Sequence, residues 1–366
     1  MATAGRGMRA AVILLALALG GCALGTPSGG PSGFVSAPPG STTPDGLARP
    51  AAQFPGGCDQ LLPASDLNAA VGFPMTLATA PMISPVALAL IEQSGQLSCE
   101  WTGGSNGARN HLVLTARRHV DLRSKSQPPF GGITGTLGTE DSWVACTADG
   151  ASGYACQFEA VVNDYWLTGY LDGVTPGATV ESAQALVATL STPAVTLLIA
   201  SSDLDTWSPP AGSWPTTYDC AALASSVDVA AVLKSVPLTV ADETALSDDG
   251  SIDRDVAALG GGTSCVWRIP DSATPTTATS VFVLLGAGTG WSFNALLPST
   301  GFAVETVDVP GADAAAVLCV ATSCSFTARL GVNGLTVSGY ADYEYTPLTR
   351  DQVLAVGTAV VAALAK

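Results

Sequence analysis

The stretch CDQLLPASDLNAAVG at residues 58–72 has a counterpart, CAALASSVDVAAVLK, at residues 220–234. Each opens on a cysteine and reads as a short amphipathic segment. The match extends outward from there. Phe73-Pro74-Met75-Thr76-Leu77 answers Val236-Pro237-Leu238-Thr239-Val240, and Ser98-Cys99-Glu100-Trp101 answers Ser264-Cys265-Val266-Trp267. Between these units, a short apolar segment opens at Ser84-Pro85 and runs to Ile91; its counterpart starts near Ser251 and ends at Leu259. Further on, a strand from His111 to Val120 answers Ser280 to Leu285. Gly135-Thr-Leu-Gly138 with Glu140-Asp141 then parallels Val309-Pro310-Gly311-Ala312-Asp313. Each copy closes with two neighbouring cysteines, a strand holding Gly-Tyr (Gly169-Tyr170, Gly339-Tyr340) and an Ala/Val-rich end.

One domain has therefore been written twice. Late hairpins are predicted to turn at Asn163-Asp164 and at Asn333-Gly334, the second being the stronger type I′ signal. Final helices are predicted from about Thr179 to Leu190 and from Thr349 to Ala365, where Thr349-x-x-Gln352 forms a capping box. The expected fold class is α+β, with two tandem homologous domains, each an antiparallel sheet with helices packed on one face. Their bounds are residues 54–192 and 214–366. In the joining segment, 193–213, Ala194 to Ala200 has the character of a strand, and Trp207, Pro209, Pro210 and Trp214 make a stiff joint.

Cysteine usage fits export. Arg6 and Arg9 precede the apolar run Ala10–Leu19, which ends in Leu19-Gly20-Gly21-Cys22. A basic start, a short apolar core and small residues before the cut describe a secretory signal peptide over residues 1–21. The run is shorter than the roughly 20 residues that span a bilayer. Met8 is an alternative start that leaves Arg9 in place. Leu-Gly-Gly-Cys resembles a bacterial lipobox, which implies an acyl group on Cys22. Residues 22–53 are Gly, Pro, Ser, Thr and Ala with almost no large apolar side chain, a composition that cannot offset the entropy of ordering and reads as a tether. In an oxidising compartment the other eight cysteines read as four disulfides. Duplication reduces the many formal pairings to one expectation: Cys58–Cys99 and Cys146–Cys156 in the first domain, Cys220–Cys265 and Cys319–Cys324 in the second. No C-x-x-C occurs, and the spacing suits no zinc pattern.

The chain carries 14 basic and 30 acidic residues. Loss of Arg6 and Arg9 with the leader leaves 12 against 30, a net charge of −18, which disfavours nucleic acid and direct electrostatic adsorption to anionic lipid. No G-x-S-x-G elbow, H-E-x-x-H or phosphate-binding loop is present. The cysteines are already assigned, and the adjacent acids Glu140 and Asp141 read as a solvated loop. The acidic run from Asp242 to Asp255 lacks the spacing and late Glu of a calcium loop. No catalytic residue, metal or cofactor is expected.

One cluster stands out. In the first domain the basic residues are Arg109, Arg117, Arg118, Arg123 and Lys125, gathered in one segment with both histidines, against 12 acids. On a strand, side chains alternate between faces. Odd positions give Arg109, His111, Arg117, His119, Arg123 and Lys125; even positions give Leu112, Leu114, Ala116, Val120 and Leu122, with Arg118 the exception. The even face is expected in the core and the basic face in solvent, as a candidate site for an anionic envelope glycan, a lipid head group or an acidic protein.

The set Cys-x-x-Leu, Ala-Ala-Val-Gly, Ser-Cys-x-Trp, Gly-x-Leu-Gly and paired late cysteines resembles the small actinobacterial lipoproteins of unknown function. These are similar in layout to the extracellular sensor domains of mycobacterial serine/threonine kinases. The resemblance implies a disulfide-bonded α+β domain with a surface cleft and carries over no catalytic residue. The expectation is a non-enzymatic binding or sensing module, held by its acyl group on the extracytoplasmic face of the cell membrane. The alternative is a carrier of an apolar or glycolipid ligand in a cleft within or between the domains; an envelope hydrolase is a weaker third class.

Overall fold

Two seven-stranded antiparallel sheets are laid out in the same order. The computed structural model describes residues 47, 49, 54, 56–78, 84–103, 110–118, 132–148, 153–174, 179–201, 207–235, 237–242, 258–268, 280–297, 303–320, 323–340 and 347–365. Residues 1–21, expected as a leader, Cys22, most of the segment expected as a tether and most of the acidic run lie outside them.

The first repeat contains helices α1 (Cys58–Leu61), α2 (Ala64–Val71), α3 (Pro85–Gln93) and α4 (Val180–Ala200). Its strands are β1 (Met75–Leu77), β2 (Gln96–Gly103), β3 (Asn110–Arg117), β4 (Ile133–Thr134), β5 (Ser142–Ala148), β6 (Tyr154–Val162) and β7 (Tyr165–Val174). The second repeat contains α5 (Cys220–Ser226), α6 (Val229–Leu233), α7 (Ser292–Leu296) and α8 (Arg350–Leu364). Its strands are β8 (Thr239–Asp242), β9 (Gly262–Arg268), β10 (Ser280–Gly286), β11 (Ala303–Val307), β12 (Ala314–Val320), β13 (Ser323–Leu330) and β14 (Asn333–Tyr340). One sheet runs β1-β2-β3-β7-β6-β5-β4 and the other β8-β9-β10-β14-β13-β12-β11. The two orders agree strand for strand, so the fold is α+β and doubled.

Alternation sets the inner face of each sheet. Leu112, Leu114 and Ala116 of β3 are buried, as are Val281, Val283 and Leu285 of β10. Against these faces lie α1, α2 and α4 in the first repeat and α5, α6 and α8 in the second. The terminal helices start as their caps dictate: Thr179 accepts from the Ser182 amide, and Thr349 forms the capping box with Gln352. By length and composition α4 passes for a membrane span, yet Ala183, Val187, Leu190, Ala194, Val195 and Leu198 belong to the first core.

All four expected disulfides are present, with S–S distances from 1.96 to 2.08 Å. Cys58–Cys99 and Cys220–Cys265 tie the first helix of each repeat to its Trp-bearing strand. Cys146 and Cys156 face each other across β5–β6, and Cys319 and Cys324 across β12–β13.

Two local expectations change. Residues 194–200 are helical, because α4 continues through Pro193 to Ala200 and keeps burying a residue each turn. The proline only removes a donor that the packed helix can do without. The second hairpin turns at Gly331-Val332, since Leu330 pairs with Asn333 and Gly331 takes φ 59°. That backbone conformation suits glycine. In the first repeat Asn163-Asp164 does form the turn, with Val162 opposite Tyr165. Asn333 is instead a buried junction: its Oδ1 accepts from the Trp214 and Gly288 amides at 2.9 and 3.2 Å, and its Nδ2 donates to the Gly212 carbonyl at 3.1 Å. Trp207 and Pro210 pack over Gly288 from the same connecting segment.

Candidate functional site

The strand registers let the outer faces of the two sheets be compared residue by residue. Across β2, β3, β7 and β6 the first row is Gln96, Arg117, Trp166 and Val161. The corresponding row across β9, β10, β14 and β13 is Gly262, Gly286, Gly334 and Arg329. Three large side chains in one copy thus stand where the other has three glycines.

That difference decides what each face does. On the second sheet the glycines leave a flat seat for α3, which comes from the first repeat. A methyl group added at Gly286 would lie 2.8 Å from Val86 Cγ1 and 2.5 Å from Thr289 Oγ1. One added at Gly334 would lie 2.9 Å from Val86 Cγ2. The α3 helix starts at Ser84, whose Oγ accepts from the Ala87 amide and also lies 2.8 Å from Thr336 Oγ1. It ends with Gln93 Nε2 donating to the Gly288 carbonyl at 3.1 Å. Gly260 sits against the Leu90 backbone. Beside α3, Phe293 and Leu297 cover Ala316 and Leu318 of β12. Thr327, Thr336 and Ser325 are buried as a result.

On the first sheet the same row is filled from within. Arg117 is only 7 % exposed, its Nε donating to Gln96 Oε1 at 2.6 Å and its Nη1 to Thr168 Oγ1 at 3.0 Å. Its guanidinium lies 5.1 Å from the centre of the Trp166 ring, a cation–π contact. Ile91 of α3 packs on that Trp. Glu159, also buried, is the register partner of Thr168 and faces the same side. A buried guanidinium is tolerated only when bonded in this way. The expectation for Arg117 is therefore corrected: it holds the base of the face and is not a solvent-facing cation.

Beyond that row the face is accessible. Ser98, Thr102 and Gln157 are exposed, and Glu100, His111, Val113, Tyr170 and Asp172 are half-buried. His111 Nε2 lies 2.9 Å from Glu100 Oε1, and its ring meets Tyr170 edge-on at 6.2 Å. Its cross-strand partner is Asp172, whose Oδ1 is buried without a hydrogen-bond partner among the described residues. Two acids thus flank the histidine, an arrangement hidden from a reading that grouped His111 with cations. Parity from the Asn163-Asp164 turn would have found it, because Trp166, Thr168, Tyr170 and Asp172 then share one face. Arg109, His119, Arg123 and Lys125 lie outside the described residues, and Arg118 is half-exposed.

Other candidates are poorer. Glu140 and Asp141 are exposed in the β4–β5 loop. No group of three metal-ligating side chains occurs among the described residues. An opening beside Ala70, Phe73, Met75, Asn110 and Leu186 measures about 30 Å³, room on the scale of a water molecule and far below a lipid.

No family model matches this chain, and no curated protein matches it. Among solved structures, the crystal structure of DynU16, a protein in the dynemicin biosynthetic locus, is similar at 11 % identity over 80 % of this chain and 94 % of that one. With a TM-score of 0.12, that likeness carries no argument about fold or function.

Proposed function

We propose that the chain is an exported, lipid-anchored envelope protein that works as a non-enzymatic binding or sensing module, with the outer face of the first sheet as its ligand surface. The observation that carries this reading is the unequal fate of two equivalent faces. One is occupied by α3 and α7, while the other keeps half-exposed polar groups in place through the Glu100–His111 contact and the Arg117 base. Duplication then divides the labour: the second repeat supports, and the first presents. Four disulfides suit an oxidising compartment. The acyl group on Cys22 supplies the membrane attachment, and the net negative charge argues against nucleic acid as partner.

Arg109, His119, Arg123 and Lys125 flank β3 in sequence and make an anionic glycan, head group or acidic protein the ligand class of first choice. Native extraction of the full chain from envelopes, followed by mass spectrometry, identifies what co-purifies. Charge reversal at Arg109 and Arg123, and separately His111→Ala with Tyr170→Ala, should each release it. Retention of the ligand by both variants rejects the site. Loss from the His111/Tyr170 variant alone rejects the anionic class while keeping the face. The carrier reading needs a larger cavity than the opening beside Ala70 and Leu186, which has room on the scale of a water molecule.

A further inference from the structure

We propose that Arg49, on the segment between the anchor cysteine and the first repeat, is a clasp that holds the seam between the two repeats closed. Its Nε and Nη2 each lie 2.7 Å from the two carboxylate oxygens of Glu92, a two-pronged pair that fixes both position and plane. The same guanidinium lies 5.2 Å from the centre of the Trp291 ring. Glu92 is on α3 and so belongs to the first repeat; Trp291 follows β10 and belongs to the second. One side chain therefore bridges both. The pair is mostly shielded, with Arg49 19 % and Glu92 26 % exposed, so salt screens it less than an open surface pair. Five residues on, Phe54 is buried and its ring meets Tyr165 edge-on at 5.7 Å, which pins the same segment into the first core.

The seam needs such a clasp. Gln93 Oε1 and Trp291 Nε1 are both buried there without a hydrogen-bond partner among the described residues, so closure is held against a desolvation penalty. Releasing Arg49 frees the Glu92 carboxylate, bares one face of Trp291 and gives water a route to both unsatisfied atoms. The fold thus contains a strap that connects the mooring segment to the packing of α3 on its glycine seat. The link to mooring rests on the reading of Cys22 as the anchor; the clasp itself does not.

The test is hydrogen exchange on the full chain with Arg49→Ala, Arg49→Lys and Glu92→Gln. Amides of 86–93 and 286–292 should exchange about tenfold faster in Arg49→Ala and Glu92→Gln, while β6 and β13 keep their wild-type rates. Arg49→Lys should recover only part of the protection, because an ammonium lacks the planar fork. Unchanged seam rates overturn the proposal, and so does uniform acceleration across both sheets, which marks general loss of stability. Glu92→Gln keeps the question answerable if Arg49→Ala does not fold. A Cys22→Ser background separates the two claims: the seam effect persists there, whether or not Cys22 carries an acyl group.

Discussion

Gly286→Ala adds one methyl group to a strand that is otherwise tolerant of alanine, so any penalty reports the docking of α3. The new carbon would stand 2.5 Å from Thr289 Oγ1 and 2.8 Å from Val86 Cγ1. Neither neighbour yields easily. Thr289 is wholly buried and its Oγ1 donates to the Gly286 carbonyl at 2.9 Å; Val86 is 2 % exposed in the middle of the seam. Overpacking of this kind costs about 1–3 kcal/mol, and two clashes from one atom place the expected loss at about 2–3 kcal/mol. Val86→Ala alone removes two buried methyls and should cost about 1–2 kcal/mol. Because it also clears one clash, the double variant should be less destabilised than the sum by about 1 kcal/mol. Urea unfolding followed by tryptophan fluorescence measures all three. A neutral Gly286→Ala, or strict additivity with Val86→Ala, refutes the seat.

Other outcomes follow from the same contacts. Loop-closure entropy gives about 4 kcal/mol for removal of Cys58–Cys99 or Cys220–Cys265, whose separations are 41 and 45 residues. The same relation gives about 2–3 kcal/mol for Cys146–Cys156 and Cys319–Cys324, separated by 10 and 5 residues, so paired Cys→Ala variants should rank in that order by denaturant midpoint. Arg117→Ala strips the donors from Gln96 and Thr168 and should cost about 2–4 kcal/mol, while Arg118→Ala on the opposite parity changes stability by under about 0.5 kcal/mol; equal effects in thermal unfolding would return Arg117 to the surface. Asn333→Ala leaves the Trp214 and Gly288 amides without an acceptor and should cost about 2–4 kcal/mol, with exchange rising first at 212–214 and 286–290. Arg350, hydrogen-bonded to Glu305, holds that carboxyl below its ordinary value. A depressed carboxylate contributes fully above its unfolded value and loses that contribution as pH falls through the folded one. The β11–α8 link should therefore loosen only on acidification below the ordinary carboxyl value of 4.5, and Glu305→Gln should remove that pH dependence in an NMR titration.

The doubled layout was legible because the cysteines and Ser-Cys-x-Trp recur in the same order, and disulfide partners follow from that recurrence. The Gly-Tyr pairs sit two residues out of register, since Gly169 lies opposite Leu114 whereas Val337, not Gly339, lies opposite Val283. Both terminal helix starts were legible from Thr179 and Thr349, whose hydroxyls cap. The end of α4 was not, because Pro193 and the apolar run after it satisfy strand and helix templates equally and tertiary packing chooses between them. The hairpin at Asn333-Gly334 failed for a related reason: both residues are needed elsewhere, one as a buried hydrogen-bond hub and the other as a gap for Val86. The basic face was half legible. Parity put Arg117 opposite the core as expected, but parity is silent on what covers the second face of a sheet. Trp166 and Gln96, distant in sequence, are what bury the charge.

The glycine row also has a meaning for the order of the copies. A chain built from two first repeats would present Arg117 and Trp166 where α3 must land, and its halves would hang as separate beads. A chain built from two second repeats would keep the landing place and forfeit the polar face. The copies have ceased to be interchangeable, so a chain in which either repeat replaces the other should lose the seam or the polar face even though every disulfide still forms.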